Sequence, residues 1–176
     1  MNLYLSTAIL ATLCLAAGLA FLSEKFKPLA FKFLRSPRAA VALFGAGIVW
    51  FVLILLNLSE ADFGNYKFIL IAIFGGAGLL AFKYLPDFLS VRGLSVVMLL
   101  ALREFIDSAY MLDIPARLTM VAIAYILVVA FIYFGCLPYR MRDLFEWLWQ
   151  KSSRVKSFGG LFILAALSMY ISMIFY

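Results

Sequence analysis

Four of the charged residues in one long, mostly apolar stretch, residues 86–115, lie in or beside its apolar run, and they are the side chains of this sequence best suited to chemistry. They are Arg92, Arg103, Glu104 and Asp107. Charged side chains inside a membrane are costly, and they commonly mark ion or substrate pathways, proton relays or paired structural contacts. We therefore take these four residues, the charged cluster, as the candidate site.

Helical geometry divides the charged cluster. Arg103 and Asp107 are four residues apart, so an α-helix places them on one face, where they can pair. Arg92 falls on nearly the same face, whereas Glu104 points about 100° away from Arg103. We expect Glu104 to need a partner from elsewhere or a proton. A buried carboxylate without a partner holds its proton more tightly than one in water, which is the property that a proton-coupled site requires.

The depth of the charged cluster depends on which residues cross the bilayer. A span over residues 92–112 places Arg103 and Glu104 near the midplane, whereas a span over residues 86–106 places them among the outer headgroups. Both placements remain open at this point. The structural interpretation of the cluster is an ion-paired clamp that holds its helix against neighbouring helices, and the functional interpretation is a substrate or proton site.

The composition is that of a membrane protein. Hydrophobic residues make up 66% of the chain, compared with about 45–50% in soluble domains. The chain contains no histidine and two cysteines, Cys14 and Cys136, which lie far apart. This excludes the usual histidine-containing zinc, di-iron and haem ligand sets, and it indicates no redox pair. We expect no metal and no cofactor.

The apolar runs predict an all-α fold, a polytopic integral membrane protein with a bundle of about six transmembrane helices in a single domain. The predicted spans are residues 3–22, 39–58, 68–85, 88–111, 118–136 and 159–176. Small residues recur at four-residue spacing in the first and third spans, at Ala16 and Ala20 and at Ala72 and Gly76. This spacing favours close packing of one helix on another.

Two connecting segments are amphipathic. In residues 23–38, apolar side chains recur at helical spacing among basic residues, so the segment is either a short helix on the membrane surface or a plain basic loop with aromatic anchors. In residues 137–157, the same spacing predicts an interfacial helix, with Trp147 and Trp149 as membrane anchors. The expected bundle therefore carries one or two interfacial amphipathic helices.

The basic residues indicate the orientation of the bundle. The net charge is +6, and Lys and Arg are concentrated in the first, third and fifth loops, whereas the second and fourth loops are slightly acidic. The positive-inside rule then places the basic loops in the cytoplasm and both termini outside it, and we assign the protein to a bacterial inner membrane. The basic loops are expected to meet anionic lipid headgroups, and nucleic-acid binding is not expected.

Two functions of different class follow from this sequence. The first, which we favour, is a non-catalytic subunit or assembly partner of another membrane protein or of a second copy of the chain. The alternative is a small proton- or ion-coupled transporter, in which Glu104 and Asp107 bind the proton or cation and Arg103 supplies the counter-charge. A faint similarity between two three-span halves, with Pro37-Arg38 before the second span and Pro115-Ala116-Arg117 before the fifth, is typical of transporter repeats.

Enzymatic activity is not expected. Glu104 and Asp107 could act as acid and base, and Arg92 and Arg103 could hold a lipid phosphate, as a lipid-modifying enzyme would require. No nucleophile–base pair, metal-ligand set or phosphate-binding glycine loop accompanies them in the sequence.

Overall fold

The protein is all-α. The computed structural model describes residues 2–23, 25–59 and 63–176, and these ranges contain eight α-helices. The helices are α1 (Leu3–Leu22), α2 (Phe26–Leu34), α3 (Pro37–Leu56), α4 (Lys67–Tyr84), α5 (Leu89–Ser108), α6 (Arg117–Cys136), α7 (Tyr139–Trp149) and α8 (Ser152–Ser172). Short 3₁₀ turns, Gly64–Tyr66 and Met173–Phe175, precede α4 and follow α8. Glu60 and Asp62, which make the second loop acidic in the orientation prediction, lie outside the described residues.

Five helices in the described ranges are long and apolar enough to cross a membrane, which confirms the prediction of an all-α membrane fold. The segments are Leu3–Leu22, Pro37–Leu56, Gly64–Tyr84, Arg117–Cys136 and Ser152–Phe175. Helix α5 is also 20 residues long, but it carries the four residues of the charged cluster. Its role as a sixth span stays a prediction.

The helix boundaries differ from the predicted spans at α5 and α8. Helix α5 ends at Ser108, and the chain then turns through Met111, which has a left-handed φ of 55°. Helix α8 begins at Ser152, seven residues before the predicted start, and its first turn holds Arg154. The guanidinium of Arg154 lies 4.4 Å from the ring centroid of Trp147 and donates to the Trp147 carbonyl at 3.0 Å. Hydropathy marks only the apolar part of α8, so it misses this polar first turn.

Helices α1 and α8 form an antiparallel pair with extensive contact. Gly18 and Gly159 allow the two backbones to approach, because a Cβ on Gly18 would lie 2.8 Å from the carbonyl oxygen of Gly159. Towards the other end of the pair, Oγ1 of Thr7 lies 3.1 Å from Oη of Tyr176. The pair is thus held by a close glycine crossing and by hydroxyl contacts.

Helix α5 lies between α3 and α6 and also contacts α1 and α2. A Cβ on Gly93 would lie 2.6 Å from the backbone nitrogen of Phe44, and one on Gly47 would lie 2.8 Å from Cγ1 of Val96. Because these contacts advance in the same direction along both helices, α3 and α5 run parallel. The core between α1, α5, α6 and α8 consists of Leu3, Leu10, Ala11, Cys14, Leu102, Phe105, Ala109, Met120, Ala124, Ala166 and Met169.

The short helices α2 and α7 contact each other and cover one end of the bundle. Residues Phe26–Leu34 form a helix and not a plain loop, whereas the predicted position of this helix on a membrane surface stays a prediction. The apolar faces pack on the bundle in a second cluster, formed by Ala30, Leu34, Val91, Met141, Phe145, Leu148 and Val155. Trp149 packs against Phe21 and Phe145 in this cluster, so it is not a free membrane anchor, whereas Trp147 is exposed.

Candidate functional site: the charged residues of helix α5

Helix α5 separates one member of the charged cluster from the other three. Arg92 lies one turn after the start of the helix at Leu89, whereas Arg103, Glu104 and Asp107 occupy its last two turns. At 1.5 Å per residue, Arg92 lies about 16 Å from Arg103 along the helix axis. The charged residues therefore form two sites at opposite ends of α5 instead of one cluster.

Arg103 is the centre of the group at the C-terminal end of α5. Its Nε lies 3.6 Å from Oδ2 of Asp107, which confirms the pairing predicted from the four-residue spacing. Its Nη1 lies 3.9 Å from Oε1 of Glu104, so the prediction that Glu104 needs a partner from elsewhere was wrong. The long arginine side chain reaches its neighbour in sequence despite the angle between them. The three side chains are between 42% and 61% exposed, which places these ion pairs on the surface of the bundle.

A groove of about 450 Å³ lies beside Arg103, where α3 ends next to α5. It is lined by Trp50, Leu53, Ile54, Asn57, Leu58, Ser59 and Arg103. Asn57 follows the last residue of α3, and its Nδ2 donates to the carbonyl of Leu53 at 2.8 Å. The groove thus places a guanidinium and an amide beside an indole ring. Sequence analysis missed Trp50, because its proximity to Arg103 depends on the parallel packing of α3 and α5.

At the other end of α5, Arg92 is partly buried. Its Nη1 is inaccessible to solvent and has no hydrogen-bond partner among the residues that the structure describes. The first turn of α5 contains no acidic residue, and Arg92 lies near the positive end of the helix dipole. Sequence analysis missed Ser95, one turn further on, whose buried Oγ likewise has no hydrogen-bond partner in the described ranges. A single serine in an apolar helix does not show from the sequence whether its hydroxyl will find a hydrogen-bond partner.

Other groups that could do chemistry are separate from α5. Within the described ranges, no three Cys, Asp or Glu side chains lie together in a way that could hold a metal ion. Cys14 is free and buried in the core, and Cys136 is free and exposed at the end of α6. The chemistry along α5 is therefore charge pairing at one end and, at the other, an arginine whose Nη1 has no hydrogen-bond partner among the described residues.

Helix α4 packs mainly against α3, and none of its residues is buried. Gly78 faces α3, because a Cβ on it would lie 2.8 Å from Cδ1 of Ile48. Gly76 is two positions earlier and points about 160° away, on the same side as Ala72. A Cβ on Gly76 would meet no described atom within 4 Å. Among the described helices, the close packing predicted at Ala72 and Gly76 therefore has no partner.

The chain matches no protein-family model, no curated protein and no solved structure.

Proposed function

We propose that this protein is a non-catalytic membrane subunit that assembles with another membrane protein or with a second copy of itself. The outward face of α4 carries this proposal. Ala72 and Gly76 lie one turn apart on that face, and a side chain at Gly76 would meet no described atom of this chain within 4 Å. Interfaces between transmembrane helices are enriched in small residues, because small residues let the backbones approach closely. The α4 face thus suits a partner helix.

The position of α4 in the bundle supports the same proposal. Helix α5 is surrounded by α1, α2, α3 and α6, whereas α4 lies at the edge and depends on α3 for support. An edge helix can accept a partner on its free side without any rearrangement of the core.

The proposal is tested with Gly76→Leu. Position 72 is changed to cysteine in a background without the native cysteines. Disulfide cross-linking between two copies in membranes then detects a homo-oligomer. Affinity purification detects association with a different membrane protein. We expect Gly76→Leu to abolish whichever association the parent protein shows. Gly75→Leu is the matched control, because it adds the same bulk to α4 about 100° around the helix, where a Cβ likewise meets no described atom within 4 Å. Association that survives Gly76→Leu, or no association of the parent protein, would contradict the proposal.

The alternative function is a small proton- or ion-coupled transporter. Glu104 and Asp107 would bind the proton or cation and Arg103 would balance their charge, next to the groove lined by Trp50 and Asn57. The surface position of the ion pairs favours the subunit instead, since intramembrane transport sites face the bundle interior or a water-filled cavity. Proton flux into vesicles that is lost on Glu104→Gln would decide for the transporter.

We also propose a bacterial inner membrane as the location, with both termini outside the cytoplasm. The basic helix α2 contacts α7 at one end of the bundle, and Lys151, Arg154 and Lys156 follow α7 in the sequence. Arg35, which follows α2, lies at this end too, with its guanidinium 5.5 Å from the ring centroid of Phe88. Convergence of basic residues at one end is what the positive-inside rule requires. That end would face the anionic lipids of the cytoplasmic leaflet.

A further inference from the structure

Arg92 and Ser95 lie one helical turn apart near the N-terminus of α5, and each has a buried polar atom that lacks a partner. Nη1 of Arg92 and Oγ of Ser95 form no hydrogen bond within residues 2–23, 25–59 and 63–176. Ser95 is only 2% exposed. Buried polar groups are almost always hydrogen-bonded, because leaving one unpaired costs free energy. Two such groups on adjacent turns indicate that a further group completes them.

Gly135 of α6 lies directly against Ser95. A Cβ on Gly135 would lie 3.3 Å from Cβ and 3.6 Å from Oγ of Ser95, so a larger residue at position 135 would crowd the hydroxyl. The turn from α6 to α7 begins two residues after Gly135. Val91, which precedes Arg92, packs in the cluster that α2 and α7 form at this end. The two unpartnered groups therefore lie near the junction of α5 with α6 and α7.

The charges around Arg92 indicate that the missing group is an anion. Both unpartnered atoms can donate a hydrogen bond, and the positive end of the α5 dipole adds to the charge of the guanidinium. The acidic residue closest in sequence, Asp87, is exposed and does not bond Nη1 of Arg92. Phosphate oxygens accept charge-assisted hydrogen bonds from arginine and bind readily at helix N-termini.

We propose that Arg92 and Ser95 bind a phosphate group, carried by an anionic phospholipid headgroup or present as the free ion. Arg92 lies about 5 Å from the start of α5, at the end of the bundle that α2 and α7 cover, which is the level expected for headgroups. This site is independent of the α4 face on which the proposed function rests.

The test compares four full-length proteins in detergent: the parent protein, Arg92→Gln, Ser95→Ala and the control Arg38→Gln. Arg38 is exposed near the start of α3, which runs parallel to α5, so its loss lowers the charge at the same end without touching the site. The thermal unfolding midpoint is followed against phosphatidylglycerol in mixed micelles and, separately, against inorganic phosphate. We expect apparent affinity to fall about tenfold or more in Arg92→Gln and about tenfold in Ser95→Ala. Arg38→Gln should retain the parent affinity.

Ser95→Ala gives a second readout that needs no ligand. If Oγ of Ser95 is unpaired in the protein without phosphate, its removal leaves the thermal unfolding midpoint of the ligand-free protein unchanged or raises it. The increase in this midpoint on addition of phosphate then becomes smaller. A response to phosphatidylglycerol alone identifies a lipid headgroup, a response to inorganic phosphate alone identifies the free ion, and responses to both identify phosphate itself as the recognised group. Equal responses in all four proteins, or no response of the parent to either probe, would overturn the proposal. If Arg92→Gln does not fold, an undiminished response of Ser95→Ala overturns it.

Discussion

Gly18 and Gly159 lie so close together that each occupies the space that a side chain of the other would need. A Cβ on Gly18 would come within 2.8 Å of the carbonyl oxygen of Gly159, and one on Gly159 within 2.9 Å of the carbonyl oxygen of Gly18. A Cβ on the neighbouring Gly160 would meet no described atom within 4 Å. Glycine at positions 18 and 159 is therefore required by the crossing of α1 and α8.

We expect Gly159→Ala to lower the free energy of unfolding by about 1–3 kcal/mol, because the added methyl group forces the two backbones apart. Reversible unfolding in mixed detergent micelles measures this change. Gly160→Ala is the control, and it should leave stability unchanged or raise it by up to about 1 kcal/mol through helix propensity. Equal losses in the two variants would mean that the close crossing is not what position 159 contributes.

Tyr176→Phe removes a hydroxyl that lies 3.1 Å from Oγ1 of Thr7 and 3.3 Å from Oγ of Ser172. Thr7 keeps its hydrogen bond to the carbonyl of Leu3 at 2.9 Å, so the loss of stability in Tyr176→Phe is limited. We expect a coupling of about 0.6 kcal/mol, and at most about 1.7 kcal/mol, in a double-mutant cycle with Thr7→Val. The control Tyr4→Phe, at an exposed position, should leave the free energy of unfolding unchanged. A coupling energy of zero between Thr7 and Tyr176 would show that their hydroxyl contact contributes no stability.

Ser90→Ala should loosen α2 from the bundle. Oγ of the buried Ser90 lies 2.8 Å from the carbonyl oxygen of Phe33 and 2.9 Å from that of Leu34, so one hydroxyl holds the end of α2 on α5. We expect a loss of about 1–3 kcal/mol, because the buried carbonyl of Leu34 loses the Ser90 hydroxyl, whereas the Phe33 carbonyl still accepts from the backbone nitrogen of Ser36. Hydrogen exchange should rise in α2 more than in α1 or α8. The control is Ser153→Ala, at an exposed position. Equal protection of α2 from hydrogen exchange in the two variants would contradict the prediction.

The depth of the ion pairs is measured by cysteine labelling. Single cysteines replace Arg103, Glu104 and Asp107 in a background without the native cysteines, and a membrane-impermeant thiol reagent is added outside. We expect position 107 to label fastest, because it lies in the last turn of α5 and is the most exposed of the three. A cysteine at the buried Leu102 should stay protected. Protection of position 107 would place the charges inside the bilayer and would strengthen the transporter alternative.

Local patterns predicted the parts of the fold that depend on neighbouring residues. The four-residue spacing of Arg103 and Asp107 predicted their ion pair. Hydropathy placed the start of α3 at residue 39, but the helix begins at Pro37, and Ser36 caps it by accepting from the backbone nitrogen of Ala39 at 3.3 Å. The Ser-Pro pair is itself a local signal for a helix start, so the sequence contained this boundary.

Contacts between helices could not be predicted in the same way. Helix α1 is apolar on every side, so no periodicity shows which face meets a neighbour. The close crossing of α1 with α8 lies at Gly18, and the spacing of Ala16 and Ala20 did not predict it. Ser95 and Trp50 were missed for the same reason, because their importance depends on which helices lie beside them.

The pairing of α1 with α8 joins two ends of the chain, since Thr7 and Tyr176 are 169 positions apart. During co-translational insertion, α1 enters the bilayer long before its main neighbour is made. An α8 inserted in the opposite direction would carry Gly159 and Tyr176 to the wrong depths, so neither the glycine crossing nor the hydroxyl contact could form. The α1–α8 contact can therefore form only when α8 has inserted antiparallel to α1, which requires an even number of membrane crossings between them.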